Sequence, residues 1–564
     1  MVSKASALKL RLSHISFLSL TLLLLLLNYQ SQLETTHRRL VASPSKNVTE
    51  NHRRFDLFRE AFEGKKLINI GLVNMEEEEQ KEGVDFIKHL RLLGNTTTAT
   101  VHFDRVPKDL HWVDFFPEWI DEDRKFHKPK CPTIPMPRFD DYGFDVVISR
   151  LPPCGSSRDV LRLQVHLVVA NLVLRSGSAM VVFLGPCEPM WEMFRCEDVV
   201  RREEDLWVFR PDLRRLKQKL VMPVGSCELA MPFIKQESLL LDTANAEQVK
   251  RQYNVSKLED TLEHPRLAYA TVLHSSEDYV CGAIALAQSL ILTNTTHDLI
   301  LLADNSVTKK SLVALAAAGW KIKLIDRIRS PQAKKNAYNE WNYSKLRIWQ
   351  LTEYDKIMFI DADLIVLKNL DRILAVPQLS AVGNDGVLFN SGVMVIEPSE
   401  CVFKMLMNKR YKVASYNGGD QGYLNEVFSW WHRLPRRLNQ MTVFKWPGQA
   451  KRRELRGAYA IHYLGFKPWM CFRDYDCNWD KMDHQIFASD SAHRRWWKVY
   501  DSMPRRLQPA CALSQRTQRW LKRLRVRARN ASLADGHWKI KIKDPRQVSL
   551  TKLSNVKKSY NVGF

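Results

Sequence analysis

Two aspartates two residues apart, Asp361 and Asp363, close the apolar run Lys356-Ile357-Met358-Phe359-Ile360. A run this rich in β-branched and aromatic side chains reads as a buried strand of a parallel sheet. Open α/β sheets place their ligands at the carboxyl ends of such strands. If the backbone stays extended through Asp361-Ala362-Asp363, both carboxylates point to one face. Two hard oxygen ligands there suit a divalent cation that holds a diphosphate. Taken alone, the same triplet is more often a pair of solvated turn acids, so its meaning depends on what else the chain supplies.

Four further stretches supply partners. Lys345 and Arg347, in Asn342-Tyr343-Ser344-Lys345-Leu346-Arg347-Ile348-Trp349, precede the run. They fall on an expected helix from which either would reach an anionic site; a solvated helix face is the competing reading. Asn390-Ser391-Gly392 stands just before an expected strand, 393–396, where small polar residues either bind sugar hydroxyls or make a turn. Asn417-Gly418-Gly419-Asp420-Gln421 opens a helix carrying Tyr423, Leu424, Val427 and Phe428 at helical spacing. Asp420 is there either an N-cap or a carboxylate beside a sugar that the glycine pair lets the backbone approach. Last comes Ile461-His462-Tyr463-Leu464-Gly465-Phe466-Lys467. His462 would complete an Asp, Asp, His set, since imidazole suits manganese as well as zinc. Lys467 would meet a phosphate as a point charge. A lone histidine before an aromatic is otherwise a structural residue, and only the combination carries weight.

Holding these side chains together requires a sheet. Residues 267–273, 298–303 and 320–325 read as strands, with helices at 279–292 and 311–318 between them. Such alternation predicts an α/β, Rossmann-like domain. Upstream, 67–73, 144–149 and 180–184 read as strands around a helix at 159–174. This smaller α/β region carries no catalytic constellation, and its expected role is packing or partner contact. Trp538, Ile540 and Ile542 alternate as in a short strand within a basic tail.

Composition narrows the class. The 45% hydrophobic content of the 564 residues excludes wholesale disorder. A formal charge of +23 points to nucleic acid, a membrane surface or an anionic substrate. No zinc-finger, basic-zipper or RNA-binding pattern is present, so no nucleic-acid partner is expected. Lys4, Lys9 and Arg11 precede six leucines, Leu22 to Leu27. Residues 12–29 reach the lower limit of a membrane span, and the positive flank predicts a cytoplasmic tail and a luminal body. No small-x-small site follows closely, which favours an uncleaved signal anchor over a cleavable signal peptide. A short span suits an early-secretory membrane. Acceptor triplets at Asn47, Asn95, Asn254, Asn294, Asn342 and Asn530 agree with a lumen. Asn342 is expected to stay unmodified, because its helix also carries Lys345. Among the ten cysteines, Cys471 and Cys477 flank a short Asp-rich loop and form the favoured bridge, while Cys281 reads as a buried free thiol. The expected organisation is a tail at 1–11, an anchor at 12–29, a stem at 30–60, an accessory region at 61–235, a catalytic domain at 264–500 and a basic extension at 501–564.

From about 267 to 497 the chain resembles the retaining sugar-nucleotide transferases of glycosyltransferase family 8, the glycogenin-like group. Its Asp361-Ala362-Asp363, Asn390-Ser391-Gly392, Gly418-Gly419-Asp420-Gln421-Gly422 and His462-Tyr463-Leu464-Gly465 with Lys467-Pro468-Trp469 follow that group's motifs in order. Residues 339–345, Ser429-Trp430-Trp431-His432 and 469–479 are similar more narrowly to the plant xylan glucuronosyltransferases. The resemblance implies a GT-A transferase domain in which Asp361, Asp363 and His462 hold Mn2+ against a donor diphosphate. It implies a nucleotide-sugar site lined by 361–363, 390–392, 417–421 and 462–467, with Lys345 and Asp420 as the candidate catalytic residues. UDP-glucuronate would be the donor and xylan the acceptor, in a single-pass type II protein of the Golgi membrane with its catalytic domain luminal. Asn417 replaces an aspartate of glycogenin, which removes a negative charge beside an acidic sugar. Retention would proceed through a glycosyl adduct on Asp420 or by acceptor attack on the same face, the second being favoured. The rivals are a self-glucosylating primer that uses UDP-glucose, for which no acceptor tyrosine declares itself, and a non-catalytic scaffold of a wall-synthesis complex.

Overall fold

The computed structural model describes residues 62, 65–75, 91, 95–116, 132–139, 143–177, 180–203, 205–222, 265–444, 455 and 457–546. The expected anchor at 12–29, the stem, the connection at 236–263, Asn47, Asn254 and the tail beyond 546 lie outside these residues. Among the described residues no helix is long and apolar enough to cross a membrane. The chain forms two compact units, Met1–Ile68 with Glu77–Thr97 and Asn69–Glu76 with Thr98–Phe564. All that is described below lies in the second, except the first residues of two strands, Leu67, Ile68 and 95–97.

The accessory region is built on β1 (Leu67–Val73), β2 (Asn95–Val101), β3 (Val146–Arg150), β4 (Met180–Leu184), β5 (Val199–Arg202) and β6 (Leu206–Phe209), in the order β2-β1-β3-β4-β6-β5. β1, β3 and β4 run parallel, β6 is antiparallel to β4, and β5 is antiparallel to β6. The parallel strands are nearly continuous apolar runs, as burial on both faces demands. Helix α1 (Val160–Ser176) starts where Asp159 accepts from Arg162 N at 2.7 Å and stops at Gly177, φ 78°. Helix α2 is Leu213–Val221.

The region that follows begins with β7 (Leu267–Leu273), α3 (Val280–Leu292), β8 (Asp298–Ala303), α4 (Lys309–Ala317) and β9 (Lys321–Leu324). A 3₁₀ helix, Asn342–Gln350, leads into β10 (Lys356–Ile360) and β11 (Leu364–Val366). Then come β12 (Ser380–Gly383), β13 (Phe389–Ile396), α5 (Glu400–Lys409), α6 (Asp420–Val427), β14 (His432–Leu434), β15 (Gln440–Met441), β16 (Ala460–His462), α7 (Asp490–Ser502) and α8 (Gln515–Asn530). The seven-stranded sheet runs β14-β12-β13-β10-β7-β8-β9, and β11-β16-β15 form a small separate sheet. β10 is parallel to β7 but antiparallel to β13. The sheet is therefore mixed and not parallel throughout, although β10 is as buried as its composition demands.

The upstream region braces the seven-stranded sheet. Lys356, the first residue of β10, is buried and donates to Gln218 Oε1 at 2.9 Å. Lys219 Nζ donates to the carbonyls of Gln378 (2.9 Å) and Trp430 (3.3 Å), and burial lowers its pKa to about 8. Arg195 and Glu397 form a buried ion pair beside the Cys196–Cys401 disulfide. Fully partnered polar networks of this kind fix one arrangement of two layers.

The C-terminal end corrects two expectations. Cys281 is not a free thiol: it is bridged to Cys511, which staples α3 to the segment after α7. The Cys471–Cys477 bridge is present. The alternation at Trp538, Ile540 and Ile542 makes no strand. Gly536, at φ 68°, starts a 3₁₀ turn, His537–Lys539. Arg525 Nη2 then takes the carbonyls of Trp538 and Ile540, so neither is left for a ladder. The basic segment is not merely surface: Leu513, Leu521 and Leu524 bury against Phe472 and Tyr475.

Candidate functional site

The site is made where β10 ends. Asp361 N still donates to Gly392 O of β13 at 2.9 Å, but Leu364 N then turns back onto Asp361 O at 3.1 Å. The backbone does not stay extended through the triplet, contrary to the expectation from spacing. Convergence has another cause: β11 pairs with β16 in a register that sets Leu364 opposite His462. Tyr463 N donates to Asp363 O at 3.0 Å and continues that pairing. One ligand atom each of Asp361, Asp363 and His462 thereby lie within 4.8 Å of one another.

The two nitrogens of His462 are differently placed. Nδ1 is 3.0 Å from Asn439 Oδ1, which can only accept, so Nδ1 carries the proton. Nε2 faces Asp363 Oδ1 at 3.2 Å. Asn439 Nδ2 donates in turn to Asn390 Oδ1 at 2.8 Å, an oxygen that also accepts from Gly392 N at 2.9 Å. This is how proteins orient a metal-ligating imidazole. The structural alternative is visible in His166, whose Nδ1 meets Arg162 O and whose Nε2 accepts from Met190 N. Two carboxylates and an imidazole whose Nε2 faces them fit a divalent cation. A second grouping among the described residues, Cys196, Glu197 and Cys401, offers none, because its cysteines are a disulfide.

Two glycines make the approach feasible. A Cβ on Gly392 would lie 2.6 Å from His462 Cε1. One on Gly282, in α3, would lie 2.4 Å from the Ala362 carbonyl and 2.6 Å from the Trp469 ring. The loop carrying both acids therefore rests directly on helix backbone.

Lys345 forms the second half of the site. Its ammonium is buried 3.1 Å from Asp361 Oδ1, 2.6 Å from Asp420 Oδ2 and 3.2 Å from Ser391 Oγ, above the Phe359 ring. Desolvation pulls its pKa down, but Asp361 and then Asp420 outweigh it and hold the ammonium above the ordinary lysine range. Ser391 Oγ donates to Asp420 Oδ2 at 2.8 Å. Asp420 is not the N-cap, a position that Gly419 occupies; it is the first residue of α6 with its side chain turned inward. Asn390, Ser391 and Gly392 lie inside β13 and not in a turn before it. Lys467 Nζ stands 2.7 Å from Asp363 Oδ2. Desolvation opposes the charges of this pair, yet Lys467 and His462 together hold the Asp363 carboxyl far below the usual carboxylate range.

Other expected residues are placed differently. Asn417 Oδ1 accepts from Gly419 N and Gly422 N, so its side chain shapes its own loop together with Gly418, φ 66°. Gln421 accepts from Ser391 N and donates to Tyr416. Tyr463 turns its hydroxyl to Ala492 O, and Phe466 packs on Trp520. Leu464 N is held by Thr442, and Gly465 is exposed at φ 70°. Arg347 is drawn off to Asp326 O and Gln350. Asn342 is half-buried with its carboxamide against the Gly419 loop, whereas Asn294 and Asn530 are exposed. The sequence reading missed Asn439 and Gly282. A lone asparagine in a basic stretch gives no signal, but a glycine inside a buried helix marks close backbone approach.

Known proteins are similar to this chain in sequence. Residues 44–227 match the GUX1-5 N-terminal domain and residues 270–471 match glycosyl transferase family 8. The chain is 49% identical over 500 residues to UDP-glucuronate:xylan alpha-glucuronosyltransferase 2 of Arabidopsis thaliana, covering 85% of this chain and 80% of that one. It is 46% identical over 574 residues to the putative UDP-glucuronate:xylan alpha-glucuronosyltransferase 5 of the same plant, covering 97% and 98%. The galactosyltransferase LgtC, solved with donor and acceptor sugar analogs, aligns at 16% identity and TM-score 0.32 over 43% of this chain and 99% of its own. The chain is a glycosyltransferase: it belongs to glycosyl transferase family 8, in the branch that joins this domain to a GUX1-5 N-terminal domain.

Proposed function

We propose that the protein transfers glucuronate from UDP-glucuronate to the xylan backbone with retention of anomeric configuration, in a GT-A domain that uses manganese. The observation that carries this reading is the meeting of Asp361, Asp363 and His462 around one point beside Lys345. The donor and acceptor follow from relatives of that name at 43–49% identity. Asp361, Asp363 and His462 would hold the ion, which when bound supplies Lewis-acid neutralisation of the donor diphosphate.

The chain's own groups do the rest. Lys467 and Lys345 present ammonium charge where the leaving diphosphate gains its negative charge. Asp420 keeps Lys345 protonated and aimed. Its Oδ2 already accepts from Lys345 and Ser391, which makes that oxygen a poor nucleophile and supports attack by the acceptor on the face the diphosphate leaves. The acceptor proton then passes to the departing phosphate. Under this reading 12–29 anchors a type II protein in the Golgi membrane, with 61–235 and 264–500 as its luminal accessory and catalytic domains.

The test is to chelate the enzyme, restore manganese and follow transfer to xylohexaose by proton NMR. Activity should vanish and return, with an α-linked product. A β-linked product, or a glycosyl adduct trapped on Asp420, contradicts the proposed course.

A further inference from the structure

A cavity of about 640 Å³ lies between the accessory sheet and α5, away from Asp361 and His462. Cavities of this size hold ligands of a few rings. Its apolar floor includes Trp191 and Trp207, the first half-buried and the second carrying the Arg202 guanidinium 4.0 Å above its ring. The wall is basic: Arg202, Lys404, Lys409 and Lys412 face a single acid, Glu188. Glu188 is shared by Lys409 at 3.1 Å and Arg202 at 3.8 Å. Lys404 and Lys412 are exposed, and neither has an acidic partner among the described residues. The Cys196–Cys401 disulfide joins the two walls, so the cavity is preformed.

The cavity is continuous in chain with the catalytic site. After α5, residues 410–419 run to Asp420, tied on the way by Gln332 to Val413 O and by Asn339 to Asn417 O. Tyr411 and Tyr416, on this stretch, and Tyr338, beside Asn339, are 70%, 53% and 87% exposed. Tyr416 is bonded to Gln421, next to Asp420. Bare aromatic rings with a polar tip suit the C–H faces of pyranose rings. A neutral polysaccharide accounts for the rings and leaves the lysines without purpose; a carboxylate on that polysaccharide accounts for both.

We propose that this cavity is a second carbohydrate subsite, which holds a stretch of acceptor backbone already carrying glucuronate while the next sugar is modified. The inference rests on the acceptor reading above.

Its test uses the full chain in detergent, without donor, titrated calorimetrically with xylohexaose, with xylohexaose carrying one glucuronate, and with oligogalacturonate. The glucuronate-bearing xylohexaose should bind about tenfold more tightly than the bare one, a difference of about 1.4 kcal/mol. The K404E/K412E variant, altered only at exposed positions, should lose that preference while its manganese-dependent donor hydrolysis stays unchanged. Equal binding of the two xylohexaoses to wild type, a preference that survives K404E/K412E, or oligogalacturonate binding as tightly as the decorated xylohexaose would each overturn the proposal. Transfer by wild type to bare xylohexaose reports separately on the acceptor reading, so failure of one is distinguishable from failure of the other.

Discussion

Lys345 Nζ and Asp420 Oδ2 stand 2.6 Å apart, joining the 3₁₀ helix before β10 to the first turn of α6. The pair also reaches Asp361, so the charge that would meet the leaving group is coupled to the charge that would meet the metal. Replacing Lys345 with Met should lower kcat by about 10²–10³-fold, the scale for loss of one preorganised electrostatic donor. Manganese affinity should persist, because Asp361 is released and not removed. Lys345→Arg should not rescue, since a planar fork does not fit a point-charge position between two carboxylates. Steady-state kinetics with a manganese titration checks both, and a loss confined to KM would count against the assignment.

Asn439 lies outside the expected site residues, yet its Oδ1 holds the Nδ1 side of His462 at 3.0 Å. Asn439→Leu should weaken manganese binding by about 10–100-fold, as for other partners of ligating histidines. Asn439→Asp should recover part of the loss, because an acceptor for Nδ1–H remains. Electron paramagnetic resonance of free manganese reads the affinity directly, and wild-type affinity in Asn439→Leu would refute the orientation argument.

Gly282→Ala drives a methyl group to 2.4 Å from the Ala362 carbonyl. Helix α3 is buried and cannot yield, so the aspartate loop must move. The expected cost is about 1–3 kcal/mol of stability, together with weaker manganese binding. Thermal melts with and without manganese test this; a variant that matches wild type in both would show that the loop is not seated on the helix.

His537 bridges Asp490 Oδ2 (2.9 Å) and Asp535 Oδ1 (3.0 Å) and stacks on Trp479. Desolvation pulls its pKa down, but the hydrogen bond and charge of Asp490, then those of Asp535, raise it above 6.5. A raised folded pKa stabilises fully below the unfolded value and is lost as pH climbs through the folded value. Wild type should therefore exceed His537→Gln in melting temperature most at pH below about 6, and the gap should narrow above neutrality. A gap that widens with rising pH would contradict the sign.

The reach of sequence reasoning was set by range. α3 and β10 were legible, because apolar periodicity and composition are local. The types of Asp361, Asp363 and His462 suit a divalent cation, but an extended backbone is not what brings them together. Extended backbone through Ala362 would have kept both acids on the central sheet, whereas the chain turns and pairs β11 with β16. That pairing, like the Cys281–Cys511 bridge, joins residues far apart in sequence and leaves no periodic trace. Asp420 was ambiguous for the same reason: at a helix start a cap and an inward ligand look alike until Lys345 is placed beside it.

The most direct measurement is a donor panel: the full chain with manganese and xylohexaose, offered UDP-glucuronate, UDP-glucose, UDP-galactose and UDP-xylose in separate reactions, with products resolved by mass. The account predicts transfer from UDP-glucuronate alone, abolished in Asp361→Ala, Asp363→Ala and His462→Ala. Transfer from UDP-glucose with none from UDP-glucuronate, or full activity in those three variants, would contradict it.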